Sequence, residues 1–148
     1  MTDNPIAGPD PMAEQKMRRI DDLCSHVWMV RTFLKHCEES AEDEELSEVH
    51  RDLYDFMLAL GQPYESNDPK TYLKLAKKKL KRLRRAQKLF EEIQPEISGH
   101  MNFKMAVASL NLAVSEIIAI IESWPYGPSG ESKMCFSLLN VSIGLPPG

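Results

Sequence analysis

From Phe103 to Trp124 the chain carries only three charges, Lys104, Glu116 and Glu122, and puts an apolar residue at every third or fourth position. Phe103, Val107, Leu110, Val114, Ile117, Ile121 and Trp124 form one stripe, widened by Ala106, Ala113, Ile118 and Ile120. That spacing is the period of one helix face, and a stripe this wide belongs to a helix that other helices surround. The chain must therefore supply partners for it. The longest apolar stretch, around 113–121, is interrupted by Ser115 and Glu116 and is too short to span a bilayer.

Three earlier segments have the same periodicity. Asp10-Pro11 reads as an N-cap followed by a first-turn proline. The helix it opens is expected to run to about Glu39, with a stripe of Met17, Ile20, Cys24, Val27, Val30, Leu34 and Cys37. Met29 and Phe33 add apolar surface on a second flank. Ser40 to Asp43 resembles a capping box for the next helix, whose stripe is Leu46, Val49, Leu53, Phe56, Met57 and Leu60. Gly61 is suited to the left-handed conformation that would stop it, leaving Gln62–Asn67 as a loop. Asp68-Pro69 repeats the cap-and-proline signal, and Gln94-Pro95 is expected to end the third long helix. Ser98 is placed to cap the fourth, which Pro125 closes.

Four helices joined by short loops predict an all-α, up-down-up-down antiparallel four-helix bundle over residues 10–124. Residues 1–9 read as a flexible leader. Residues 125–148 read as a largely irregular tail, a Pro/Gly-rich turn followed by the short apolar run 134–145 without helical spacing. At 148 residues a single core needs no metal or disulfide to hold it. Three cysteines, an odd number, argue against a disulfide framework, and no charged start precedes an apolar run as in a signal peptide. The expected setting is reducing and cytoplasmic, with no membrane partner.

Charge is distributed very unevenly. Ten Lys and Arg and no Asp or Glu lie between Lys70 and Lys88, leaving 8 basic against 22 acidic residues elsewhere. On a helix most of these cations share one arc, opposite Tyr72, Leu73, Ala76, Leu80, Leu83, Ala86 and Phe90. Lys74, Lys78, Lys81 and Arg85 are the candidate polyanion contacts, because a cationic stripe matches a phosphate backbone and releases its counterions. The stripe lacks the interleaved aromatics that stack on bases, and the acidic remainder repels phosphate. The favoured reading is a solvated face balanced by acids, those between Glu38 and Glu48 above all, within the chain or on a second subunit.

Three charges break the apolar pattern: Arg31, Lys79 and Glu116. Glu116 is the only acid near the middle of the most apolar helix, so the expectation is a buried ion pair with Arg31 or Lys79, the alternative being that Arg31 and Lys79 lie along the core's edge with their charged heads in water. Breaking such a pair costs roughly 3–5 kcal/mol. Asp22, His26, His50, His100 and Asn102 are weak polar-site candidates. Asp22 and His26 sit one helical turn apart, and His100 and Asn102 enter the fourth helix. Neither Glu-x-x-His nor His-Glu-x-x-His occurs, and there is no nucleophile elbow, phosphate-cradling loop or dinucleotide fingerprint. Ser109 and Ser115 read as helix residues without a neighbouring base.

The sequence therefore assigns no catalytic, cofactor or metal residue. It favours a non-enzymatic interaction or assembly module, forming a homo-oligomer or binding a protein partner, because its apolar arcs exceed what one small core needs. The alternatives are an RNA- or DNA-binding bundle using the basic helix and a cryptic metal-dependent enzyme.

Overall fold

The structure is a computed structural model and describes residues 11–125. The expectations for the leader and for most of the tail lie outside these residues. Five helices pack together, and no strand occurs among the described residues. They are α1 (Pro11–His36), α2 (Glu38–Glu42), α3 (Glu44–Glu65), α4 (Pro69–Ile97) and α5 (Met101–Glu122). α1 packs on α3 and α5, α4 packs on α3 and α5, and α1 also meets α4.

The stripes read from the sequence are the core. Met17, Ile20, Val27 and Leu34 from α1 meet Leu46, Val49, Leu53 and Phe56 from α3. Tyr72, Leu73, Leu83 and Phe90 from α4 join Leu110, Val114, Ile117 and Ile121 from α5. All sixteen are at most 1% exposed. α5 taken whole is long and apolar enough to cross a membrane by length and composition, a test that a core helix also passes. The interrupted run around 113–121 understates it, because Ser115 and Glu116 lie on its outward side.

Helix boundaries depart from the sequence reading in five places, each with a local cause. The first helix ends at His36, not Glu39, because Leu34 already spends its carbonyl on side chains. Ser40 Oγ donates to it at 2.5 Å and Cys37 Sγ at 3.2 Å. Ser40 is thus a buried donor inside the new short helix α2. The N-cap of α3 is Asp43, whose Oδ1 accepts from the Leu46 amide at 2.9 Å.

Gly61 does not stop α3, which continues through Pro63 to Glu65. Pro63 lies in the last turn, where its missing N–H costs one backbone bond, and its ring is buried. The left-handed residue is Asn67, at φ 53°. The Asn67 amide donates to the Tyr64 carbonyl at 3.0 Å and the Asp68 amide to the Pro63 carbonyl at 2.8 Å. This is the paired-bond C-terminal motif normally built on glycine, here on asparagine.

Asp68 and Pro69 start α4 as expected, Asp68 Oδ1 accepting from the Thr71 amide at 3.3 Å. α4 then runs past Pro95 to Ile97. Buried Gln94 ties the end down, its Nε2 donating to the Ser98 carbonyl at 2.8 Å. The cap of α5 is His100, not Ser98. His100 Nδ1 accepts from the Asn102 amide at 3.0 Å, while Ser98 Oγ accepts from the His100 amide at 3.1 Å.

A test follows from Gly61. It sits inside a helix, and a Cβ added there meets nothing within 4 Å. Gly61→Ala is expected to stabilise the fold by about 0.5–1 kcal/mol in urea denaturation, through helix propensity and a less flexible unfolded chain. A left-handed stop at this position would give a loss instead.

Candidate functional site: the α1/α5 face

α1 and α5 meet along three rungs. Arg19 Nη2 donates to Glu116 Oε1 at 2.7 Å, Ser109 Oγ lies 3.4 Å from His26 Nδ1, and the Phe33 and Phe103 rings meet edge to face at 5.0 Å. On α1 the rungs fall seven residues apart, so one side of the helix faces α5 throughout. Between the first two rungs lies a groove of about 480 Å³ lined by Asp22, Leu23, His26, Met105, Ser109 and Leu112, among others.

Glu116 is therefore not the buried partner of Arg31 or Lys79. Its side chain is 50% exposed and that of Arg19 55%. An ion pair this wet contributes about 0–1 kcal/mol, well below the cost of breaking a buried pair. Lys79 is half-buried on α4. Arg31 is stabilised by rings rather than by a carboxylate: its guanidinium carbon lies 4.8 Å from the Trp28 ring centre and 4.5 Å from that of Tyr54. The π faces offset the charge, although Arg31 Nε is buried without a hydrogen-bond partner among the described residues.

The groove gathers Asp22, His26 and Ser109, so Ser109 does have a neighbouring imidazole. Ser109 sits in mid-helix, where the surrounding backbone amides are committed to helix bonds and none is left to receive an oxyanion. His50 lies elsewhere, near Arg31, Arg51 and Lys35, and His100 and Asn102 form the α5 cap. Among the described residues no three His, Cys, Asp or Glu side chains gather as metal ligands. A separate polar cluster joins α1 to α4, where the Tyr72 hydroxyl donates to Asp21 Oδ1 at 3.2 Å. Burial raises the Tyr72 hydroxyl and the Asp21 carboxyl above their ordinary values, the shared hydrogen bond partly offsetting it for Asp21. Burial also pushes the Cys24 thiol up to about 12, so it is inert as a nucleophile at neutral pH.

On α4 the cations repeat every seven residues, as Lys74, Lys81, Lys88 and as Lys70, Lys77, Arg84. Lys74, Lys78, Lys81 and Arg85 are all exposed. Acids on α3 answer one flank: Arg82 reaches Asp55 at 3.4 Å and Arg85 reaches Asp52 at 3.8 Å. Glu45 and Glu48 line a groove with Arg85 and Lys88, so part of the acidic cluster does sit beside one end of the basic helix. Burial raises the Asp52 carboxyl, against the pull of Arg82 and Arg85.

What sequence reasoning missed is the outward side of α5. Met101, Met105, Ala108, Leu112, Ser115, Ala119 and Glu122 are all exposed and follow a strict four-three alternation. Met101 is 59% exposed, Met105 57% and Leu112 68%. The signal lay in the same heptad spacing, offset from the buried stripe. No family model matches the chain, and no curated protein or solved structure matches it either.

His50 yields a measurable consequence. Burial, with Arg31, Arg51 and Lys35 nearby, lowers its imidazole below the ordinary 6.5. The unfolded chain then holds the proton more tightly, so stability is lost as pH falls through and below 6.5. The urea midpoint of the parent is expected to drop between about pH 7.5 and about pH 5, and that drop should be shallower in His50→Gln. Equal slopes would remove His50 from the account.

Proposed function

We propose that this chain is a non-enzymatic helical interaction module, and that its docking surface is the outward side of α5 with the adjoining flank of α1. The observation that carries this reading is the row Met101, Met105 and Leu112, three large apolar side chains more than half exposed on one helix face. A soluble monomer seldom leaves such a row in water, whereas interfaces are commonly built on one. Only Lys104, Glu116 and Glu122 charge that helix, so covering it strands little charge.

The scaffold we propose is an up-down-up-down antiparallel bundle of α1, α3, α4 and α5, with α2 as an inserted turn. The contacts support it. Along α1 and α5 the rungs Arg19–Glu116, His26–Ser109 and Phe33–Phe103 run in opposite chain directions. Arg82–Asp55, Arg85–Asp52 and the Tyr64–Tyr72 ring pair do the same for α3 and α4. We place the module in a reducing, cytoplasmic setting, which fits the unpaired thiols of Cys24 and Cys37.

A second reading, RNA or DNA binding along α4, is favoured by the exposed heptad row Lys74, Lys81 and Lys88. One experiment separates the two: methionine oxidation footprinting of the full chain in concentrated cell extract and in dilute purified form. Protection of Met101 and Met105 in extract, with Met12 oxidised equally in both, is the expected result. It should persist when Lys74, Lys78, Lys81 and Arg85 are all changed to Glu. Protection that vanishes in that variant favours the nucleic-acid reading, and no protection at all sinks the interaction reading.

A further inference from the structure

The exposed row on α5 has a property beyond being apolar: it is complementary to itself. Its large members are Met101, Met105 and Leu112, and its small members are Ala108, Ser115 and Ala119. When two copies of α5 are laid antiparallel about a two-fold axis at the level of Leu110, every large residue meets a small one. Leu112 falls opposite Ala108 of the second copy, Met105 opposite Ser115, and Met101 opposite Ala119. Small residues let helix axes approach to about 8 Å, and large ones fill the spaces between them.

Lys104 and Glu116 lie about 120° apart around α5, on opposite flanks of the row, and this pairing brings no two like charges together. A parallel pairing fails, because it stacks Leu112 on Leu112 and leaves gaps at Ala108, Ser115 and Ala119. The neighbouring antiparallel register, one step toward the N-terminus, pairs Leu112 with Met101 and leaves Ser115, Ala119 and Glu122 uncovered.

Resting on the interaction reading above, we infer that the occupant of the α5 face is a second copy of this chain, packed antiparallel about Leu110. The outward row is about 33 Å long for a 22-residue helix. With the groove flank of α1 beside it, the pairing forms a two-fold, self-complementary interface of the kind most homodimers use. The interface also leaves the exposed arc of α4 uncovered, since α4 contributes none of the row.

Register-specific disulfide trapping tests this in the full chain, in a background carrying Cys37→Ser and Cys135→Ser. The mixture of Ala108→Cys and Leu112→Cys proteins is expected to give a mixed disulfide about tenfold faster or more than the mixture of Ala108→Cys and Ala119→Cys, because thiols held in register react as if concentrated. The mixture of Met105→Cys and Ser115→Cys should behave like the first. Light scattering on the parent should give twice the 16.9 kDa of the chain. A monomer with equal rates in all mixtures overturns the inference, as does a monomer that binds phosphatidylcholine vesicles through Met105 and Leu112. A dimer trapped fastest by the mismatched pair overturns the register. Methionine protection in extract together with a purified monomer would remove the second copy and leave the interaction reading standing. Loss of both would remove that reading too.

Discussion

Everything in this molecule is arranged around the burial of α5. Its inward stripe, from Phe103 through Leu110 and Ile117 to Ile121, has no polar group to compromise with, and α1 and α4 close over it from two sides. Burying a side chain such as Leu110 or Ile117 contributes roughly 1.5–3 kcal/mol. Such contributions, summed over the stripes of all four long helices, offset part of the entropy of ordering them. The polar groups at the edges then set the register. Arg19–Glu116 and Gln87–Asn111, the latter at 2.6 Å, fix α5 against each neighbour where the apolar stripe alone would allow sliding. Arg19–Glu116 contributes to specificity more than to stability, because it is solvated, whereas Gln87–Asn111 is partly buried.

The concentration of positive charge on α4 is a consequence of the same economy of surfaces. α4 faces the core with Tyr72, Leu83, Ala86 and Phe90, and its remaining arc is free for solubility. α3 answers only the flank it touches, through Asp52 and Asp55. Arg31 shows a different solution to a charge on an apolar flank. There the guanidinium sits across a tilted pair of rings, Trp28 and Tyr54, whose π faces offset its charge.

The helices were legible in the sequence because a three-four apolar period has few other interpretations, and Leu53, Leu83 and Ile117 are buried where it puts them. Their ends were less legible. Gly61, Pro95 and Ser40 are local stop and start signals, yet helix packing carries the backbone through the first two and turns the third inward to the Leu34 carbonyl. Asn67 and His100, which do the capping, are chosen by bonds that only the folded backbone supplies. Cross-helix partners were legible least. That Glu116 meets Arg19, that Tyr54 covers Arg31 and that Ser109 approaches His26 depend on interhelical register, which no single helix encodes. The exposed row on α5 was readable in principle, but a helix so apolar draws attention to its inward side.

Amide hydrogen exchange along the chain tests the central role of α5 most directly. The amides of Leu110, Val114 and Ile117 should be among the slowest of the whole chain and open only with global unfolding, their protection tracking the denaturant-derived stability. Exchange of those amides well before the centres of α3 and α4 would mean that α5 is a peripheral element, and the account built on its burial would fail.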